Sequence, residues 1–175
     1  ILRSTTKFMN KVFRKIKFII ILWIINNVFK GTRFFKVKKK LLEIVGVIIG
    51  ENTKVVGPII FGSEVKLSIG SDCWIGRNLK IDGNGQVNIG NKCDLAPEVI
   101  IATGSHEIGK TRRAGKGLTY NTNIGDYTWI GIRSTIIQGS SIGQGCIVGA
   151  CTMINKNISD NLVVVGVPGK IIKKL

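Results

Sequence analysis

From residue 49 onward the apolar positions recur every six residues. They fall at Ile49, Val55 and Phe61, then at Ile69, Ile75 and Ile81, then at Ile89, Leu95 and Ile101. Ile49-Gly50, Ile69-Gly70 and Ile89-Gly90 repeat at intervals of 20, so the first two triplets each close on two residues of slack, Leu67-Ser68 and Val87-Asn88. A second run has no slack: Ile124, Ile130, Ile136, Ile142, Val148 and Ile154. Four places after most of these the residue is small: Thr53, Cys73, Cys93, Val99, Thr128, Ser134, Cys146 and Thr152. A period of six belongs neither to an α-helix nor to the simple alternation of a hairpin strand. It predicts a short strand and a turn, three such sides to a coil. The large aliphatic residue points inward and the small one fits the corner. Gly after the aliphatic residue permits the turn. Stacked coils bury one continuous core, each touching only its neighbours. The pattern therefore predicts an all-β solenoid, with about five coils between residues 49 and 159.

Two segments leave this register. In residues 7–30, Phe8, Val12, Ile16 and Ile19 line one side at helical spacing, with Lys7, Lys11, Arg14 and Lys15 on another. In residues 34–45, Phe34, Val37, Leu41 and Ile44 stand against Lys36, Lys38, Lys39 and Lys40. Both read as amphipathic helices. The longest uncharged apolar run, Phe18–Ile25, is eight residues, and a spanning helix needs about 20. No small-residue cleavage site follows it. These helices are expected to lie in a membrane interface, to cap the open first coil, or to do both with different faces. The second departure is residues 107–123, polar, basic and Gly-rich, which must leave the coil as an excursion loop. The chain thus divides into a basic helical appendage (1–45), a β-helix (46–165) and a C-terminal tail (166–175).

Composition sharpens this picture. Aromatics are 7% of the chain and Gly numbers 22, as suits a repetitive β architecture. The net charge of +16 is concentrated at the N-terminus: residues 1–45 hold twelve Lys or Arg against Glu43 alone. Such a segment favours anionic surfaces. The aromatic-and-basic motif of an RNA-reading sheet is absent, so nucleic acid is not an expected partner. Cys73, Cys93, Cys146 and Cys151 form no C-x-x-C pair. All four read as reduced and structural, which fits a cytosolic compartment. A zinc site built on several histidines is excluded by the single histidine, His106, and no metal is expected.

The run IGDYTWIGIRSTIIQGSSIGQGCIVGACTMINKNI resembles the hexapeptide-repeat acyltransferases, whose coils are left-handed; the resemblance covers residues 46–175. It implies a left-handed parallel β-helix. The stretch CDLAPEVIIATGSHEIG, residues 93–109, followed by KTRRAGKG, is similar to the maltose and galactoside O-acetyltransferases and their polysaccharide-modifying relatives. In that family a histidine at the lip of an excursion loop is the catalytic base, and here the position is His106. The residues agree independently. Neutral imidazole is a base suited to pH 7, and a positioned base contributes roughly 10²–10⁴-fold. Glu107 and Asp94 are the candidates to orient it. Asp82 and Asn78 are candidates to meet the acceptor, with Gly76 standing where the galactoside enzymes carry an asparagine. Arg112 and Arg113 on the excursion are candidates to grip an acidic sugar or a lipid-linked diphosphate.

The tail NLVVVGVPGKIIKKL resembles the family's closing segment along bound CoA, so the resemblance places Lys170, Lys173 and Lys156 near phosphates and Trp129, Gly131, Gly149 and Ala150 beside the pantetheine arm. The expected function is transfer of acetyl from acetyl-CoA to a hydroxyl of a surface polysaccharide or its precursor. The expected enzyme is a homotrimer with sites between subunits, cytoplasmic and peripheral on the inner face of the cell membrane. An amino-sugar N-acyltransferase of the same fold, and a non-catalytic membrane-associated solenoid, are the alternatives.

Overall fold

The computed structural model describes residues 2–62 and 66–175; the side chains of residues 2–8 and of Lys11 lie outside that description, among them Lys7, Phe8 and Lys11 of the amphipathic pattern. Two helices, α1 (Leu2–Asn27) and α2 (Phe35–Ile44), precede the strands. Coil one holds β1 (Ile48–Ile49), β2 (Lys54–Val55) and β3 (Ile59–Phe61). Coil two holds β4 (Lys66–Ile69), β5 (Trp74–Ile75) and β6 (Leu79–Asp82), and coil three β7 (Gln86–Ile89), β8 (Asp94–Leu95) and β9 (Ile100–Ala102). A hairpin, β10 (Gly104–Ile108) and β11 (Ala114–Thr119), then leaves the solenoid. Coil four holds β12 (Thr122–Ile124), β13 (Trp129–Ile130) and β14 (Thr135–Ile136); coil five enters through Ile142 and holds β15 (Ile147–Val148) and β16 (Met153–Ile154). A partial sixth enters through Ile158 and ends in β17 (Leu162–Val165), against which β18 (Lys170–Lys174) folds back antiparallel. The coils are left-handed.

Three parallel faces result. The first is β1-β4-β7-β12, the second β2-β5-β8-β13-β15-β17 with β18 at its edge, and the third β3-β6-β9-β14-β16. The six-residue register is what stacks them: Ile75 pairs Leu95 and Leu95 pairs Ile130, while Ile81 pairs Ile101 and Ile101 pairs Ile136. All six are buried, as are the small corner residues from Thr53 to Thr152. Phe61 shares the register of Ile81 but sits at the solenoid's end, partly covered and stacked on Phe18 at 6.2 Å between ring centroids.

The glycines after the aliphatic positions serve packing rather than turn freedom. A Cβ on Gly50 would fall 2.5 Å from the backbone of Gly70 and Ser71, and one on Gly70 would fall 2.6 Å from the Gly90 carbonyl oxygen. The left-handed backbone lies two residues later, at Asn52, Asp72, Lys92 and Tyr127. Side chains at the same corner close the gaps between coils. Ser71 Oγ accepts from Glu51 N–H, Asn91 Oδ1 from Ser71 N–H, and Asp126 Oδ1 from Asn91 N–H.

The appendage seals the open end. Asn26 Nδ2 donates to the Ile59 carbonyl at 2.8 Å and Ile59 N–H donates to Asn26 Oδ1 at 2.9 Å, so one side chain satisfies both backbone groups of Ile59 at the edge of β3. Ile21, Ile25 and Leu42 join the solenoid core. The capping face of α1 is therefore Phe18, Ile21 and Ile25, and the expected face through Val12, Ile16 and Ile19 stays exposed. Lys38 corrects the second amphipathic reading: it is wholly buried, its Nζ donating to the Gly31 carbonyl at 2.6 Å above the Phe35 ring. Burial lowers its pKa below the ordinary 10.5. Among the described residues no helix is long and apolar enough to cross a membrane.

Candidate active site

The hairpin leaves the solenoid between the third face and the first, at the end of coil three. His106 lies within β10, opposite Gly117 of β11, and the ladder shifts register between His106 and Ile108. The excursion is thus a two-stranded ribbon that begins at Gly104, ahead of the histidine. Its base is anchored by Gln138 Nε2 donating to Ser105 Oγ at 3.2 Å, and by Thr103, whose Oγ1 donates to the Asp82 carbonyl and accepts from Gly85 N–H. Gly83 makes the close approach possible: its φ is +101°, and a Cβ there would fall 2.5 Å from both Gly104 N and Thr103 Oγ1.

These elements enclose a cleft of about 520 Å³ lined by Asp82, Asn84, Ser105, His106 and Thr119, among others. His106 and Asp82, chosen separately from the sequence, share it. Asp82 is held by Lys80, Nζ to Oδ2 at 3.2 Å. Asn84, Ser105 and Thr119 were not expected; the D-G-N-G turn at 82–85 was the available signal, because it must bring polar groups to the corner where the chain departs. A larger cleft of about 1050 Å³ lies between α2 and coils one and two, lined by Phe35, Lys39, Asp72 and Trp74 among others. It holds no histidine.

The remaining candidates lie elsewhere. Glu107 is exposed and does not line the cleft; it sits where the ladder shifts register between His106 and Ile108. Asp94 lies on the second face, in a register row Lys54–Trp74–Asp94–Trp129–Ile147–Val163–Lys173. Asn78 is at the corner of the second and third faces, its N–H donating to the Pro58 carbonyl. Arg112 and Arg113 form the hairpin tip, where Arg113 Nη1 donates to the Gly109 carbonyl. Gly131 and Gly149 are explained by packing: Cβ atoms there would meet Ala150 N at 2.6 Å and Val165 Cγ1 at 2.7 Å. Ala150 is exposed beside them, and Lys156 is exposed between β16 and the bridge at Ile158.

The tail cations are brought together by an irregularity. Lys173 pairs Val163 and Lys170 pairs Val165, with a register shift between them. Three residues of β18 thereby span two of β17, so both lysines share one face. Val164 is buried, so that shared face is the outward one, also occupied by Trp129. Three strand steps of about 4.8 Å put Trp129 and Lys173 roughly 14 Å apart along one row. This row lies on the second face, across the solenoid from the corner that bears His106.

Among the described residues no cluster of His, Cys, Asp and Glu is placed to hold a metal ion. The family described as bacterial transferase hexapeptide (six repeats) matches residues 121–156. A galactoside O-acetyltransferase of Escherichia coli is 29% identical over 139 residues, covering 79% of this chain and 68% of the relative. A putative colanic acid biosynthesis acetyltransferase of the same organism is 27% identical over 137 residues, covering 77% and 72%. The chain spans 58% to 72% of the length of these and two fungal relatives. The fold is shared with a hexapeptide-repeat acetyltransferase of Vibrio cholerae solved with acetyl-CoA: TM-score 0.82, 23% identity, covering 93% of this chain and 87% of that one.

Proposed function

We propose, from the premise that the chain belongs to the hexapeptide-repeat transferases, that it moves acetyl from acetyl-CoA to a sugar hydroxyl of a surface polysaccharide or its precursor. The observation that carries the reading is the His106 cleft, with one imidazole and Asp82 on a ribbon held by a rigid solenoid. The similarity to galactoside and colanic acid biosynthesis acetyltransferases supports the acetyl donor and the class of acceptor.

The imidazole of His106 removes the hydroxyl proton as the oxygen attacks the thioester carbonyl. The tetrahedral oxyanion then collapses, expelling the CoA thiolate, which takes that proton from the imidazolium. No metal and no covalent enzyme intermediate is needed. Asp82 is suited to fix the acceptor by accepting from a neighbouring hydroxyl. Lys170 and Lys173 are suited to the CoA phosphates as point charges, with Trp129, Gly131, Gly149, Ala150 and Lys156 along the arm. Arg112 and Arg113 offer charge to an acidic or diphosphate-bearing acceptor.

Trp129 and the two lysines lie across the solenoid from His106 in one chain, so they cannot serve the same bound acetyl-CoA. A second copy must present its second face to the first copy's hairpin. A closed homotrimer supplies three such heterologous contacts. We place the enzyme in the cytoplasm, peripherally on the inner face of the cell membrane, where lipid-carried precursors are accessible.

The test is thiol release from acetyl-CoA with a panel of neutral, acidic and amino sugars, run beside His106→Asn. The account expects hydroxyl-dependent release and a loss of about a hundredfold or more in kcat, with the KM for acetyl-CoA nearly unchanged. A variant that keeps more than about a tenth of the turnover makes His106 structural, and release only with amino sugars makes the enzyme an N-acyltransferase.

A further inference from the structure

The appendage has two faces, and only one is used by the fold. Phe18, Ile21 and Ile25 turn inward and cap coil one. On the opposite side of α1, at about 100° per residue, Met9, Phe13, Ile16, Ile20 and Trp23 form a continuous stripe that is 47% to 62% exposed. Exposed large apolar residues are ordinary when scattered, but a stripe along four turns of one helix is not. Lys15 and Lys17, both exposed, fall on its two margins, and the first 45 residues carry twelve cations against one acid.

We infer that this stripe docks on an anionic lipid surface, with α1 lying in the plane of the headgroups. This deepens the peripheral location proposed above and stands apart from the acyl-transfer reading, since none of its residues belongs to the cleft or the CoA row. Charge complementarity selects lipid. A protein partner would be fitted to shape, whereas an apolar stripe with a lysine on each margin suits hydrocarbon beneath and phosphate beside it. Each cation near such a surface multiplies binding by roughly five. A helix too polar to cross the bilayer is left to lie along it.

The geometry also sets an orientation. The stripe faces away from the coil stack, so the solenoid stands on its capped end. His106 leaves the third coil, which is two coil steps plus one helix diameter from the surface, roughly 20 Å.

The test is flotation of the full chain with vesicles of phosphatidylcholine alone and of phosphatidylcholine mixed with phosphatidylglycerol. The double variant Ile16→Ser/Ile20→Ser is run beside it, with melting curves and sedimentation velocity for both proteins. The inference expects flotation on the mixed vesicles only and a fall as salt is raised. It expects at least about a tenfold loss of partitioning in the double variant, whose melting curve and soluble-acceptor activity match the parent. Absence of flotation, equal flotation on neutral vesicles, or flotation unchanged in the double variant overturns it. A parent that ignores vesicles and changes oligomeric state when the stripe is substituted assigns the stripe to a second copy of the chain, which also overturns it. Loss of acyl transfer in the His106 variant bears on the catalytic reading alone.

Discussion

Asn26→Ala removes the side chain that pairs both backbone groups of Ile59 at the edge of β3. In the parent, Asn26 Nδ2 donates to the Ile59 carbonyl at 2.8 Å and Oδ1 accepts from Ile59 N–H at 2.9 Å. Ile59 is 1% exposed, so both backbone groups lose their partner in a place water reaches poorly. Each buried backbone group left unpaired costs about 1–3 kcal/mol. Partial entry of water at the solenoid end favours the lower half, giving about 2–4 kcal/mol in total. For a chain of this size each kcal/mol shifts the midpoint by about 2–4 °C, so Tm should fall by roughly 5–15 °C. Asn26→Asp keeps the acceptor for Ile59 N–H but sets a negative oxygen against the Ile59 carbonyl, and should be at least as damaging as Ala. Thermal and urea unfolding of the three proteins decide the matter. An Ala variant within about 0.5 kcal/mol of the parent, the range of an ordinary surface substitution, would refute the view that α1 seals the solenoid by hydrogen bonding.

Gly83→Ala should lower both stability and kcat, because a Cβ at φ +101° would fall 2.5 Å from Gly104 N and displace the strand that carries His106; the expected strain is about 1–3 kcal/mol, read by melting and by thiol release. Lys173→Glu should raise the KM for acetyl-CoA with kcat little changed, since a contact to a remote phosphate is equal in ground and transition states; an unchanged KM removes Lys173 from the cofactor row. Lys38→Met should flatten the pH dependence of stability. Burial lowers the folded-state pKa of Lys38 below 10.5, so between those values the unfolded chain binds more protons and the parent's stability rises with pH; urea midpoints measured from neutral pH to about 10 should climb in the parent and not in the variant.

The solenoid was legible because its core is one-dimensional: Ile75, Leu95 and Ile130 each see the same neighbours, so a period of six in sequence is a column in space. The corner residues were legible for the same reason. What lies outside the repeat was less so. Helix α1 is apolar on both sides, so periodicity alone could not separate the capping face of Phe18, Ile21 and Ile25 from the exposed stripe. Lys38 looked like a solvated cation because nothing local shows that the Gly31 carbonyl waits beneath it. At the site, His106 stood out as the chain's single histidine, and the turn at 82–85 carried Asp82 to the same cleft. Glu107 looked equally placed by adjacency, but it falls at the register shift of β10 and does not line the cleft. Lys170 and Lys173, three apart, would point to opposite sides of a regular strand; only the register shift in β18, invisible in the sequence, gathers them.

The central claim is that His106 of one chain works on acetyl-CoA held by the second face of another. Mixing two disabled chains tests it most directly. His106→Asn and the double variant Lys170→Glu/Lys173→Glu are each assayed alone at acetyl-CoA well below KM, then co-expressed in equal amounts and assayed again. In a randomly assorted trimer, one site in about four joins an intact His106 to an intact lysine pair from its neighbour. The account predicts recovery to about a quarter of parental activity in the mixture. Activity no greater than the average of the two variants assayed separately would contradict it, because a site built within one chain cannot be restored by a neighbour.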